Sequence, residues 1–278
     1  MTGYTPLRYP GGKAKLFNYI SGLIIANFEH APVYIEPFAG GAGLALKLLM
    51  TNKVTEIYIN DYDPAIWALW ESILNHPIEM INRIEHAELS ITEWQRQKQI
   101  YLNQDLTDLV GLGFATLYLN RANRSGIILA NPIGGLKQNG NYLIGCRFNK
   151  EVLKKQIMKI HENRNRIHLS NEDAKTFIAR VDREIQNALI YLDPPYVQKG
   201  YQLYKNSFKE ADHNALRDAV AELANRWIVT YDDCPMVEEL YGSYRQLKFN
   251  LNYSVQTIRK GTEIAIYSND LQSIPDFE

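Results

Sequence analysis

Four short apolar runs constrain this chain more than any other feature: PVYIEPF (32–38), EIYIND (56–61), NALIYLD (187–193) and RWIVTYDD (226–233). Such runs, lacking strict polar alternation, fit strands covered on both faces, and strands of that kind belong to parallel sheets. RIHLSNED (166–173) is a weaker run of the same sort. Helical patterns lie between them, as in GLALKLLM from Gly43 and EADHNALRDAVAELANR (210–226). The alternation predicts an α/β fold with a doubly wound, mainly parallel sheet. QLKFNLNYSV and TEIAIYSN, separated by RKG, predict a C-terminal antiparallel hairpin turning at RKG.

The middle of the chain breaks the alternation. HPIEMINRIEHAELSITEWQRQKQIYLN reads as helix, a stretch rich in Gly, Asn, Arg and Lys follows, and KEVLKKQIMKIHENRNRI supplies a basic helix. The predicted organisation is an α/β domain, 1–74 and 157–278, interrupted by a mostly helical insertion, 75–156. A lid and a packing subdomain are both ordinary roles for such an insertion. With 278 residues, 46% of them hydrophobic, the chain can bury a sizeable core. Its net charge of −1 carries no global basic excess, so a polyanion site has to be a local patch. Two cysteines without CxxC, and six histidines without HExxH, predict neither a disulfide framework nor a metal centre. No apolar run is long enough to span a bilayer and the start lacks an apolar signal core, so the cytoplasm is the default location.

EPFAGGAGLAL turns from the first clear strand into a helix. Glycines at such a bend let backbone approach a ligand, and the helix N-terminus offers N–H groups. The spacing is not GxGxxG, because Leu46 stands in the third glycine's place. Glu36 would repel a pyrophosphate and suits a cationic or hydroxyl-bearing ligand. Asp61 ends the next strand about twenty residues on, where an acid can hold two ribose hydroxyls. Asp63, directly before Pro64, is the better helix cap, which leaves Asp61 to bind. RYPGGK (8–13) lacks the first glycine and the Ser/Thr of a phosphate loop, and alone reads as a surface turn.

YLDPPY (191–196) ends a buried strand with a carboxylate, two stiff residues and an aromatic ring. Asp193 and the Pro194 carbonyl are two acceptors of fixed direction, able to grip both hydrogens of an exocyclic amine. Tyr196 adds a flat face on which a planar base can stack. A rigid strand exit with a capping aspartate is the alternative reading.

Taken together and in order, RYPGGK, EPFAGGAG, NDYD and DPPY resemble the Dam-type, alpha-group adenine DNA methyltransferases. The resemblance spans nearly the whole chain. It implies the class I S-adenosylmethionine-dependent methyltransferase fold, with S-adenosyl-L-methionine as cofactor and adenine in double-stranded DNA as substrate. It implies cofactor contacts from Tyr9, Lys13, Glu36, Phe38, Gly40, Gly43, Asp61, Asp173 and Asp193. Asp193, Pro194 and Tyr196 would form the catalytic clamp on a base flipped from the duplex, with direct methyl transfer and no metal. A cognate restriction endonuclease, a phage origin and a housekeeping role are all compatible with it.

LYLNRANRSGI (117–127) resembles the start of the family's recognition hairpin. It makes Asn120, Arg121, Asn123 and Arg124 candidate DNA contacts. Lys137 and Arg147 join them, and Lys150, Lys154 and Lys155 are further phosphate candidates. After Gly126 the chain reads IILANPIGG, where family members that read GATC tend to carry an arginine and a short polar stretch. A site other than GATC is therefore expected. DPPY alone also suits cytosine's amine, an RNA adenine or a protein amide. A nucleotide-dependent dehydrogenase and a non-catalytic DNA-binding module are the more distant alternatives.

Overall fold

A computed structural model describes residues 3–8, 13–197, 208–255 and 257–275, and the backbone alone for 251–255 and 257–261. Five strands alternate with helices: β1 (Val33–Glu36), β2 (Ile57–Asn60), β3 (Ile167–Ser170), β4 (Ala188–Leu192) and β5 (Arg226–Asp232). β6 (Arg245–Val255) and β7 (Thr257–Tyr267) follow. The helices are α1 (Phe17–Asn27), α2 (Gly43–Met50), α3 (Pro64–Asn75), α4 (Pro77–His86), α5 (Ile91–Asn103), α6 (Leu109–Ala122), α7 (Lys150–Glu162), α8 (Ala174–Glu184), α9 (Glu210–Ala221) and α10 (Pro235–Leu240).

The seven strands form one sheet in the order β3-β2-β1-β4-β5-β7-β6. β1 to β5 are parallel, and β7 runs antiparallel between β5 and β6. This is the doubly wound sheet with a C-terminal hairpin that the sequence predicts, and the weak run at 166–173 does supply β3. The hairpin's turn is a correction. Arg259, Lys260 and Gly261 lie within the ladder opposite Tyr253, Asn252 and Leu251, and the chain reverses between Val255 and Thr257. A turn-like tripeptide is overruled where pairing of two eleven-residue strands fixes the register.

Successive residues of β4 serve opposite cores. Leu189 and Tyr191 face the side covered by α1, α2, α3 and the insertion helices, while Ala188, Ile190 and Leu192 face α8, α9 and α10. All five β4 residues are buried, which is why the run looks continuously apolar. The segment 75–156 forms no core of its own. Met80, Trp94, Leu112, Phe114 and Leu153 share one cluster with Tyr34 and Ile59 of the sheet. α6 approaches α3 so closely that a Cβ on Gly113 would lie 2.7 Å from Ser72 Oγ and 2.8 Å from the Ala68 carbonyl. α7 crosses the expected boundary at 156/157 without interruption.

Candidate active site

The parallel strands β1, β2, β3 and β4 all deliver their C-terminal ends to one edge of the sheet, the edge where α/β folds bind ligands. Glu36 ends β1, Asp61 and Asp193 directly follow β2 and β4, and Asp173 stands three residues past the end of β3. Asn60, the last residue of β2, laces the loops after β1 and β3. Fully buried, it donates to the Pro37 carbonyl (3.0 Å) and the Glu172 carbonyl (3.1 Å) and accepts from the Glu172 N–H (2.9 Å). Nothing in the sequence singled it out.

The turn after β1 is held in the left-handed region at Gly40 (φ 46°) and at Ala42 (φ 44°), the N-cap of α2. Conformations of this kind cost a non-glycine residue of order 1–3 kcal/mol and persist where surroundings impose them. Here the Gly40 N–H donates to Asp61 Oδ2 (2.8 Å), and the Trp70 indole donates to the Gly40 carbonyl (2.9 Å). Asp61 Oδ1 also accepts from the Asp63 N–H (2.9 Å), so Asp61 is a loop brace as well as a candidate ligand. Burial raises its pKa to about 6, against the lowering effect of those two N–H groups. Asp63 caps α3 through the Ala65 N–H, as predicted. Asp173 caps α8, accepting from Lys175 and Thr176, and stays exposed. Gly43 opens α2 facing Thr5 and Ala14, and Phe38 meets Phe208 edge-on at 5.9 Å.

Glu36 is buried, and its Oε2 has no hydrogen-bond partner among the described residues. Burial raises its pKa well above the ordinary range and Asp193 adds to the rise, while Lys13 and the Ala45 N–H oppose it. A buried carboxylate oxygen left without a donor at the ligand edge of the sheet fits a cationic or hydrogen-bond-donating group.

Lys13 is no solvated turn lysine. Its side chain is 3% exposed, and Nζ lies 2.8 Å from Asp193 Oδ1 and 2.9 Å from Oδ2. It also donates to the Tyr196 hydroxyl (2.8 Å), which donates to Glu263 Oε1 (2.6 Å). Thr230 Oγ1 donates to Asp193 Oδ1 (3.2 Å) and lies 2.9 Å from the Tyr191 hydroxyl. Asp193 Oδ1 thus has two donors and Oδ2 one, which leaves Oδ2 acceptor capacity. Among the described residues nothing donates to the Pro194 carbonyl. Tyr196 departs from expectation. Its ring is 6% exposed and its hydroxyl is held by two side chains, so no open stacking face is presented in this state. Tyr9 lies outside the described residues.

The NRANRSG segment is also corrected. Asn120 is buried: it accepts from the Arg8 N–H (2.8 Å) and donates to the Arg8 and Gly126 carbonyls (3.0 and 2.8 Å). Asn123 is buried too, accepting from the Trp94 indole (2.6 Å) and donating to the Ile128 carbonyl (2.7 Å). With every side-chain amide hydrogen bond directed inward, neither reaches a groove. Asn120 docks the N-terminal motif instead, and Asn123 ties the chain after α6 to Trp94. Gly126 (φ 77°) lies against Arg8, where a Cβ would fall 1.9 Å from the Arg8 carbonyl oxygen. Arg121 is partly committed, donating to the carbonyls of Arg147 (2.8 Å) and Pro6 (3.3 Å). Its pKa is pushed down to about 10 by burial and by the nearby Arg8 and Arg147. Arg124, Lys137 and Arg147 are exposed. Lys150 caps α4 at the Glu85 and Ala87 carbonyls, and Lys154 pairs with Glu85 and Glu151, which removes both from the phosphate candidates.

Residues 9–256 match the family model of the D12 class N6 adenine-specific DNA methyltransferases. The chain belongs to this family. Among curated relatives, the Type II methyltransferase M.MjaIII of Methanocaldococcus jannaschii is 23% identical over 221 residues, covering 75% of this chain and 74% of the relative. Two solved structures also align. The rRNA methyltransferase aviRa of Streptomyces viridochromogenes does so at 13% identity and TM-score 0.42, over 95% of this chain and 88% of its own. A Pyrococcus horikoshii protein described as an RNA methyltransferase does so at 10% identity and TM-score 0.43, over 94% and 84%. As a D12 methyltransferase the chain is an enzyme that methylates adenine in DNA. No helix among the described residues is long and apolar enough to cross a membrane.

Proposed function

We propose that this D12 methyltransferase transfers a methyl group from S-adenosyl-L-methionine directly to the 6-amino group of an adenine flipped out of double-stranded DNA. The observation that carries the reading is the unpartnered Glu36 oxygen at the same sheet edge as Asp193 Oδ2 and the Pro194 carbonyl. One carboxylate there suits the ammonium group of the cofactor. The other two acceptors suit the two hydrogens of an exocyclic amine.

When bound, S-adenosylmethionine supplies an electrophilic methyl group. Glu36 would hold its ammonium group, Asp61 the ribose hydroxyls and Asp173 the adenine edge. Phe38, Gly40 and Gly43 line the approach, and Tyr9 is a further contact. Asp193 Oδ2 and the Pro194 carbonyl orient the target nitrogen and stabilise positive charge developing on it. The amino group cannot reach that position from inside the base stack, which requires flipping. Tyr196 stacks on the base once its ring is uncovered. Lys13 fixes the Asp193 carboxylate.

The segment 75–156 is the proposed target-recognition region of the catalytic domain formed by 1–74 and 157–278. Arg8 and Arg121 have their charge disfavoured by burial and then by neighbouring arginines, Arg147 for both, and a phosphate would relieve that repulsion. Arg124 and Lys137 are exposed on the same region. IILANPIGG after Gly126 supports a target other than GATC, and a cognate restriction endonuclease is a fitting partner. Sequencing of DNA from cells expressing the protein, with detection of modified adenine, tests base and site together. In the same assay Asp193→Ala abolishes methylation, while cofactor and DNA binding by the purified variant largely survive. Normal turnover by that variant would sink the mechanism.

A further inference from the structure

Glu263 belongs to no motif, yet it sits on β7 directly opposite Asp232 of β5. Both side chains are buried, Glu263 at 1% exposure. Two carboxylates side by side in a sheet are costly unless each has a donor to hold. Asp232 Oδ1 accepts the Val197 N–H (2.9 Å), fixing the backbone just past DPPY. Glu263 Oε1 accepts the Tyr196 hydroxyl (2.6 Å) and lies 3.6 Å from Lys13 Nζ. The adjacent carboxylates therefore grip the motif's tail at backbone and side chain.

We propose that Glu263 is a positioning residue for methyl transfer: it fixes the Tyr196 hydroxyl and shares the charge of Lys13, so that Asp193 keeps its acceptor for the adenine amine. The inference rests on the adenine-clamp reading above. Its physical content is a competition. Lys13 is buried among Asp193, Tyr196 and Glu263. If Glu263 loses its charge, Lys13 keeps Asp193 as a carboxylate in direct contact, 2.8 Å away, and draws more strongly on it. The amine then meets a weaker acceptor. Asp193, Glu36 and Asp232 are the other acids facing this cluster, and Tyr191 and Thr230 are the hydroxyls beside it.

Glu263→Gln is the discriminating variant. It is isosteric and keeps an oxygen for the Tyr196 hydroxyl, while it removes the charge and turns the second oxygen into an N–H donor. The expected result is a kcat lower by roughly tenfold, with KM for duplex DNA and the cofactor dissociation constant within about threefold of wild type. The melting temperature should hold or rise, because a buried carboxylate has been replaced by a neutral amide. A residue with a merely structural role would move melting temperature and leave kcat alone. Unchanged kcat, a loss expressed in KM alone, or a fall in melting temperature that accounts for the lost activity each overturns the proposal. Wild-type protein that transfers no methyl to duplex adenine would fail the functional reading itself. Active wild type with an equally active Glu263→Gln variant fails this inference alone.

Discussion

Asn60 offers a sharp test of how the ligand edge is held together. Its amide makes three hydrogen bonds to backbone, two as donor and one as acceptor, across the loops after β1 and β3. At about 1 kcal/mol net for each, Asn60→Ala removes roughly 3 kcal/mol. For a chain of this size that is a melting temperature lower by about 6–12 °C. Asn60→Asp is nearly isosteric and keeps the acceptor for the Glu172 N–H, so a shape argument predicts little change. The hydrogen-bond argument predicts the opposite: an ionised carboxylate would face two carbonyl oxygens and donate to neither. At pH 7 Asn60→Asp should melt at least as low as Asn60→Ala. The introduced acid would have a folded-state pKa raised above its unfolded value. Its protonated form can donate again, so stability should be regained on acidification and lost as pH rises through the folded pKa. Thermal melts of both variants at pH 5 and pH 7, referenced to wild type, measure this. An Asn60→Asp variant that matches wild type at pH 7 would refute the reasoning.

Two further outcomes follow from the site. Asp61 carries a pKa of about 6, so its ionised form grows as pH rises from 5 to 7, beside Asp63 in the same loop. Cofactor affinity by calorimetry should strengthen over that interval, since the carboxylate is the better acceptor for ribose hydroxyls, and Asp61→Asn should flatten the dependence. In the proposed recognition region, Arg124→Ala and Arg147→Ala should each weaken duplex binding and reduce the salt slope by about one. Asn123→Ala should instead lower thermal stability and leave that slope unchanged, because its amide bonds inward to Trp94 and Ile128.

The strands were legible because burial on both faces writes a continuous apolar run into a short stretch of chain. Ala188–Leu192 is the clearest case, and Asp63 before Pro64 is an equally local signal. The hairpin turn was not, because RKG has turn chemistry while the register is set by pairing along the whole of β6 and β7. Asn120 and Asn123 misled for a related reason. Asparagine is as suited to bracing backbone as to reading adenine, and only burial separates the two uses. The Asn120 brace joins Arg8 to the end of α6 across more than a hundred residues of sequence.

The same separation makes the Lys13–Asp193–Tyr196–Glu263 cluster only half legible in the sequence. Asp193 and Tyr196 announce themselves in a six-residue motif. Lys13 reaches Asp193 from 180 positions away, and Glu263 reaches Tyr196 from 67. A lysine in a glycine turn reads as solvated, since an ammonium group is costly to bury without partners. Its burial is tolerable here because Asp193 and Glu263 supply carboxylates and the Tyr196 hydroxyl supplies a neutral acceptor. Those acids in turn could not share so small a volume without the cation. Each group makes the others possible, so neither Lys13 nor Glu263 carries a local pattern that identifies its place in the set. Local stiffness places the Pro194 carbonyl, but mutual charge compensation between distant segments places the carboxylate beside it. A motif can announce the first kind of constraint, and only the fold assembles the second.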